Sequence, residues 1–475
     1  MELAFTDGFN ESRSLPSMNR QCTGWYPKFI ENGDAVEKRL YGTPGQVEIA
    51  DTGSEPNRGS AVMADVPYFV NGTSLYRLNA DYTTTTIGTI GGFGRVSMPN
   101  NGTQLMILIP GGAGYIYDKD TVTLTTITAT GFTDNGAPQI AIFIDGYFMV
   151  NTDSKKFIVS GLNDGLTWDP LDFGSAESDP DIIVSLVNFR NEAYILGSQT
   201  VEAFTNVGGA DFPFQRNGLI LDKGCAAPFS IVATAGTFMF IGAGVNEEPS
   251  IYSVQGTQLV RISNDGVDLL LSGLSAAQMA QVNGYTYAQD SSVFACWEFP
   301  SETVVYGLDT GKWHKRTSQV TDAAGAIRTV GWRSTALVAA YGNLICFDTQ
   351  DGRVGEVGLT TYDEYGEDIH RVFDVTPLRA GKAPLFIPRI EVTVEAGVGN
   401  TAAPNPFIRM STSRDGQSFG GERQRSMGAQ GEFNQRSVWR RNGRFPQYAH
   451  LRFLLSDQVR PIIVRVDAEI GIGVT

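Results

Sequence analysis

The stretch Ile140-Ala141-Ile142-Phe143-Ile144-Asp145-Gly146-Tyr147-Phe148-Met149-Val150 holds the fold of this chain in miniature. Two apolar runs, each too short for a stable helix, flank an Asp-Gly pair. In a two-residue type I′ turn both central residues take φ above zero, which Gly adopts freely and Asp tolerates, so the segment reads as a β-hairpin. The same grammar recurs in residues 68–70 with 75–78 across Asn71-Gly72, and in 105–109 with 115–118 across Pro110-Gly111-Gly112. It recurs again in 183–189 with 193–196, 231–235 with 238–241, 293–299 with 303–308, and 335–340 with 344–347. Strand-only units spaced by roughly 40 residues predict a β-propeller of six or seven blades over residues 61–365, because each blade buries its faces on its neighbours and the ring protects its edges.

Working outward, residues 1–60 mix Gly, Pro, Asn and charge without a period, and are expected to form an extended N-terminal arm wrapping a neighbour or the propeller. After residue 365 longer alternating strands begin. In the last of them Ile462, Val464, Val466, Ala468 and Ile470 share one face, and Ile463, Arg465, Asp467 and Glu469 largely the other. A C-terminal β-sandwich over residues 366–475 is expected, giving an all-β chain overall. One short helix is expected within 269–282, N-capped by Ser275.

Composition fits this reading. Hydrophobic residues make up 42% of the chain and charged ones 18%, which excludes a disordered or coiled-coil protein, and 54 glycines fall mainly between the apolar runs. Cys22, Cys225, Cys296 and Cys346 form no CxxC pair and are expected as buried free thiols. No apolar run suits a membrane span, and Met1 to Asn10 lacks the apolar core of a secretory signal. Synthesis in a reducing cytoplasm is the expectation.

Charge divides the chain. Residues 371–475 carry 15 Lys+Arg, 14 of them Arg, against 9 Asp+Glu, a net of +6; residues 1–370 carry 21 against 42, a net of −21. An acidic body argues against ordinary DNA or anionic-membrane binding, which draws on Lys and Arg. Solubility alone is the competing explanation.

Catalytic patterns are absent from the sequence. His314, His370 and His450 sit in no HExxH or HxH, and GxSxG and GxxxxGK[ST] do not occur. The glycine clusters 91–94 and 111–114 precede strands, whereas a phosphate cradle needs a helix N-terminus. Asp363-Glu364 with Glu367-Asp368, and Asp179 with Asp181, are the carboxylate pairs to weigh, and their hydrophilic settings favour a solvated face. Asn163-Asp164-Gly165-Leu166-Thr167-Trp168 is similar to the Asp-box hairpin of sialidase-type propellers, a turn stabiliser without catalytic duty. No cofactor or metal is expected. The run Arg436-Ser437-Val438-Trp439-Arg440-Arg441-Asn442-Gly443-Arg444-Phe445 interleaves arginines with aromatics, a pattern that can clamp carboxylate or phosphate and stack on rings. Arg436, Trp439, Arg440, Arg441 and Arg444 are the candidate partner-interface residues, for an acidic protein surface ahead of nucleic acid.

Residues 20–27, 40–45, Gly94-Arg95-Val96-Ser97-Met98, Leu196-Gly197-Ser198-Gln199-Thr200-Val201-Glu202-Ala203-Phe204, 410–416 and 437–444 together resemble the packaged-DNA stabilisation, or tail hub (nozzle), proteins of short-tailed bacteriophages. The resemblance implies a non-enzymatic virion protein of the tail, made in the host bacterial cytoplasm. It further implies a hexameric ring below the portal and its head-tail adaptor that retains packaged double-stranded DNA and conducts it at ejection. A tailspike or tail fibre, and a plug or needle protein, are the other implied partners. A glycan-acting or glycan-binding propeller, sialidase-like hydrolase or lectin, is the rival reading; a hydrolase would need an arginine cluster facing a tyrosine and carboxylates at the propeller axis.

Overall fold

The computed structural model describes residues 1–14, 18–32, 35–53, 55–176, 181–209, 212–322 and 324–473. Among these, seven antiparallel sheets succeed one another as blades. The first holds Asn57–Met63, Val66–Asn71, Ser74–Leu78 and Thr84–Thr89, and the second Gln104–Leu108, Gly114–Asp118 and Thr123–Thr126. Inside the second, Ser97 and Asn100 bridge to Leu108 and Leu105. The third runs from Pro138–Ile144 to Phe173–Ser175, the fourth from Ile183–Phe189 to Phe214–Leu221, and the fifth from Gly224–Cys225 to Gln258–Arg261. The sixth spans Asn283–Gln289 to Lys312–Thr321, and the seventh starts at Ser334–Ala340.

Apolar residues cluster between successive blades. Val70, Leu105 and Tyr117 pack between the first two, Met106, Phe148 and Trp168 between the second and third, and Met149, Phe157 and Ile195 between the third and fourth. Phe69, Leu78, Ala340 and Phe347 join the seventh to the first, so the ring closes. The closing strand comes from the N-terminus. Gly45–Asp51 pairs antiparallel with Arg353–Gly358 and completes the seventh blade, so chain segments about 300 residues apart are hydrogen-bonded together.

The hairpin at 140–150 forms as read, with Asp145 at φ +48° and Gly146 at +85°. Four other inner hairpins use the same two-residue positive-φ turn at Ala64-Asp65, Arg190-Asn191, Asp290-Ser291 and Tyr341-Gly342. At Asn71-Gly72 the turn is displaced by one residue. Asn71 pairs with Ser74, and only Gly72 of the central pair Gly72-Thr73 has φ above zero.

The C-terminal part is a two-sheet sandwich. One sheet has the order Trp25–Asn32, Ala35–Gly42, Ile462–Ile472, Leu385–Val394, Ser437–Arg440. The other contains Arg371–Asp374, Tyr448–Leu455, Phe407–Ser413 and Arg423–Ser426, and is continued by Cys22–Thr23 onto Lys312–Thr321 of the sixth blade. Propeller and sandwich therefore share one hydrogen-bonded ladder. They also share a core, in which Phe9 and Trp25 of the N-terminal segment, Trp297 and Trp313 of the sixth blade, and Trp439 and Phe453 of the sandwich belong to one apolar cluster.

Several details depart from the sequence expectation. Ile463 is fully buried although it alternates with the inward set; a register irregularity opposite Thr393 and Val394 changes the phase of the last strand. Two helices form instead of one. Ala276–Met279 is capped by Ser275 and Gln278 in a reciprocal capping box, and Asp265–Ser272 is capped by Asn264. The four cysteines are buried and free.

Candidate partner interface

Ser437–Arg440 is the edge strand of its sheet, and period-two alternation decides what each residue meets. Ser437 and Trp439 point inward, and Arg440 points out. Trp439 is fully buried, donates Nε1–H to the Arg423 carbonyl at 2.7 Å and meets Phe453 edge-on at 5.7 Å. It fixes the strand and touches no solvent-side partner. Arg441 follows at φ +59°, its N–H held by the Pro388 carbonyl at 2.8 Å, so the chain kinks outward before Arg444–Phe445 resumes pairing.

The outer face of this sheet is an alternating charge ladder. Arg436 pairs with Glu391 at 2.5 Å, Arg389 reaches both Glu391 and Glu469, and Arg465 lies between Asp467 and Glu2. The Arg436 guanidinium, by hydrogen bonding, holds the Glu391 carboxyl below the usual carboxylate range. These pairs neutralise one another. Arg440, Arg441 and Arg444 stand beyond the ladder, exposed and without a carboxylate partner among the described residues. Of the five arginine-run residues singled out, then, three are free for a partner, one is committed to Glu391 and one is core.

One neighbour was not legible. Phe386 lies opposite Arg444 and is 42% exposed, while Leu385 and Ile387 on either side are buried. An unbroken apolar run hid the outward residue. Three guanidiniums beside an exposed aromatic can take carboxylates or phosphates with an apolar flank.

The carboxylate pairs are solvated only in part: Asp368 is exposed and Asp363 and Glu367 are half-buried, while Glu364 and Asp181 are buried. Glu364 is buried 3.8 Å from Arg316, and Asp363 caps Gly366. Asp181 is buried and accepts from the N–H groups of Gln199 and Thr200, and Asp179 lies outside the described residues. Glu364 and Asp181 have donors around them because burying a carboxylate requires them. In the Asp-box-like turn Asp164 binds Leu166 N and Thr167 Oγ1, while Trp168 Nε1 donates to the Gly165 carbonyl. His314 and His450 are buried and His370 is exposed. No group of three metal-ligating side chains occurs among the described residues, and no helix there is long and apolar enough to cross a membrane.

Known proteins bear on this geometry. Two family models match in succession, the bacteriophage P22 Gp10 β-propeller over residues 32–362 and the bacteriophage P22 Gp10 β-sandwich over residues 370–471. The chain is 24% identical over 391 residues to the tail hub protein gp10 of Salmonella phage P22, with 79% of each chain covered. Among solved structures it is similar to the WD40 β-propeller domain of Doa1, at 11% identity and a TM-score of 0.38, covering 66% of this chain and 96% of that one. It is also similar to YCF48, solved bound to D1 peptide, at 9% identity and a TM-score of 0.40, covering 66% and 97%.

Proposed function

The chain belongs to the bacteriophage P22 Gp10 family and is a structural protein of the phage tail, and from that premise we propose that it is a non-enzymatic hub subunit working in a hexameric ring below the portal and adaptor. The observation that carries this reading is the similarity to a tail hub protein over 79% of both chains. In this reading the ring retains packaged DNA, conducts it at ejection and anchors spikes or fibres outside and a plug or needle below.

Charge supports a division of labour. Residues 1–370 carry a net −21, and a wall of like charge denies DNA the counterion-releasing contacts that would hold it. The basic sandwich edge, with Arg440, Arg441, Arg444 and Phe386, suits an acidic surface on the adaptor or on a neighbouring subunit. Electron cryomicroscopy of the tail of the source particle tests the assignment, together with the mass of the complex formed on adding the adaptor. A tail without a six-fold ring of this chain, or an adaptor that recruits none of it, would refute it.

A further inference from the structure

The seven inner strands begin at one end of the propeller, and there the axis opens into a bowl of about 760 Å³ lined by six of the blades, from Pro56 and Arg58 in the first to Thr349 in the seventh, and by Ala280 and Gln281 just before the sixth. Its wall is largely apolar. Phe93 stands 90% exposed and Ile182 57% exposed at the bowl, with Ile183, Pro228 and Phe229 more buried. Large apolar side chains exposed around one concavity mark a binding site more often than accident.

Two guanidiniums sit at the neck, lining both the bowl and a smaller space of about 220 Å³ behind it. Arg58 is 6% exposed. Its Nε donates to the Gly94 carbonyl at 2.6 Å and its Nη1 to the carbonyls of Gly72 and Gly91, but its buried Nη2 has no partner. Arg95 spends one nitrogen on Glu298, which is also reached by Asn283; the rest of its guanidinium, partly exposed, has no bond among the described residues. Asp153, the other acid at the bowl, is turned to the Ala137 N–H at 2.9 Å. Of the two cations only Arg95 has a carboxylate partner, Glu298, and the buried Arg58 Nη2 lacks an acceptor, a destabilising state that a bound acid would relieve.

We propose that this axial bowl is a binding site for a carboxylate carried on an apolar chain, the acid meeting Arg58 and Arg95 at the neck and the apolar part lying against Phe93, Ile182 and Phe229. Planar forks favour a carboxylate there. The end of an extended peptide and a small aromatic acid present the same chemistry. Phe93 lies between Gly92 and Gly94, both at positive φ, and Arg58 holds the Gly91 and Gly94 carbonyls on either side, so the loop presents the exposed ring at the rim. This site is separate from the sandwich edge and makes no use of tail assembly.

The test is calorimetric titration of the full chain with the peptide acetyl-Gly-Leu-Phe as free acid, the same peptide as C-terminal amide, N-acetylphenylalanine, and inorganic phosphate. The free acid is expected to bind at least about tenfold more tightly than the amide, and phosphate alone not to compete. N-acetylphenylalanine matching the peptide would identify a small acid as the ligand; much weaker binding would identify a peptide end. Phe93→Ala, on an exposed side chain, should weaken the acid several-fold with an unchanged melting temperature, and Arg95→Gln should weaken it several-fold with a lower one, because it also removes the partner of the buried Glu298. Equal affinity for acid and amide, no binding of either acid at millimolar concentration, or binding indifferent to both substitutions would overturn the proposal.

Discussion

His314 shows how burial sets chemistry one residue at a time. Its ring is packed edge-on against Phe294 at 5.6 Å, both ring nitrogens lack hydrogen bonds among the described residues, and burial, helped by the Arg316 charge, depresses its pKa to about 3. In the unfolded chain it titrates near 6.5. Between those values the unfolded state holds the extra proton, so stability is full above about pH 6.5 and falls as pH drops, by at most about 1.4 kcal/mol per unit. His314→Phe should flatten the acid side of the stability profile, as read by urea unfolding at several pH values; an unchanged slope would refute a neutral buried ring. Trp439→Ala should cost about 3–5 kcal/mol through its lost packing, whereas Arg440→Ala should stay within about 0.5 kcal/mol. Burial also pushes the Cys22 and Cys346 thiols up to about 12 and Cys225 to about 11. Ellman's reagent at mildly alkaline pH should therefore find no thiol until the protein is unfolded, when all four react.

At the scale of elements, the strand Gly45–Asp51 does the most with the least. It completes the seventh blade beside Arg353–Gly358, and the hairpin Trp25–Gly42 just before it enters the sandwich sheet beside Ile462–Ile472. One N-terminal segment therefore closes the ring and pins the sandwich to it. Deleting residues 1–51 exposes two sheet edges at once, and exposed edges template aggregation. The truncated chain is expected to lose its single cooperative melt and to aggregate; a monodisperse product with native circular dichroism would refute this role. The Arg316 guanidinium lies 3.4 Å above the Trp332 ring and donates to the Pro44 carbonyl at 2.8 Å, which ties the same segment to the sixth and seventh blades.

For the whole molecule, the shared ladder and shared core make the propeller and sandwich a continuous structure with an acidic body and a basic edge. Arg440→Glu combined with Arg441→Glu changes four units of charge where no carboxylate is paired, so melting should be unaffected while recruitment to the adaptor, or assembly between subunits, is impaired. Sedimentation of mixtures with adaptor reads this directly, and normal assembly by the double variant would count against the sandwich edge as the interface. Double-stranded DNA should show no gel-mobility shift with the wild-type chain near physiological salt.

The sequence by itself determined the blades, the sandwich and the arginine run, because period-two alternation, Asp-Gly turns and charge are local properties that survive without a partner strand. The hairpin 140–150 and the capping box at Ser275 belong to this class. Only the tertiary structure decided that Gly45–Asp51 closes a ring begun at Asn57, that Trp439 is core while Arg440 is free, that Phe386 faces out, and that Arg58 and Arg95 line one axial bowl. Each depends on strands brought together from distant parts of the chain, and the free energy that selects among such pairings is the burial of shared apolar surface, which no local window contains.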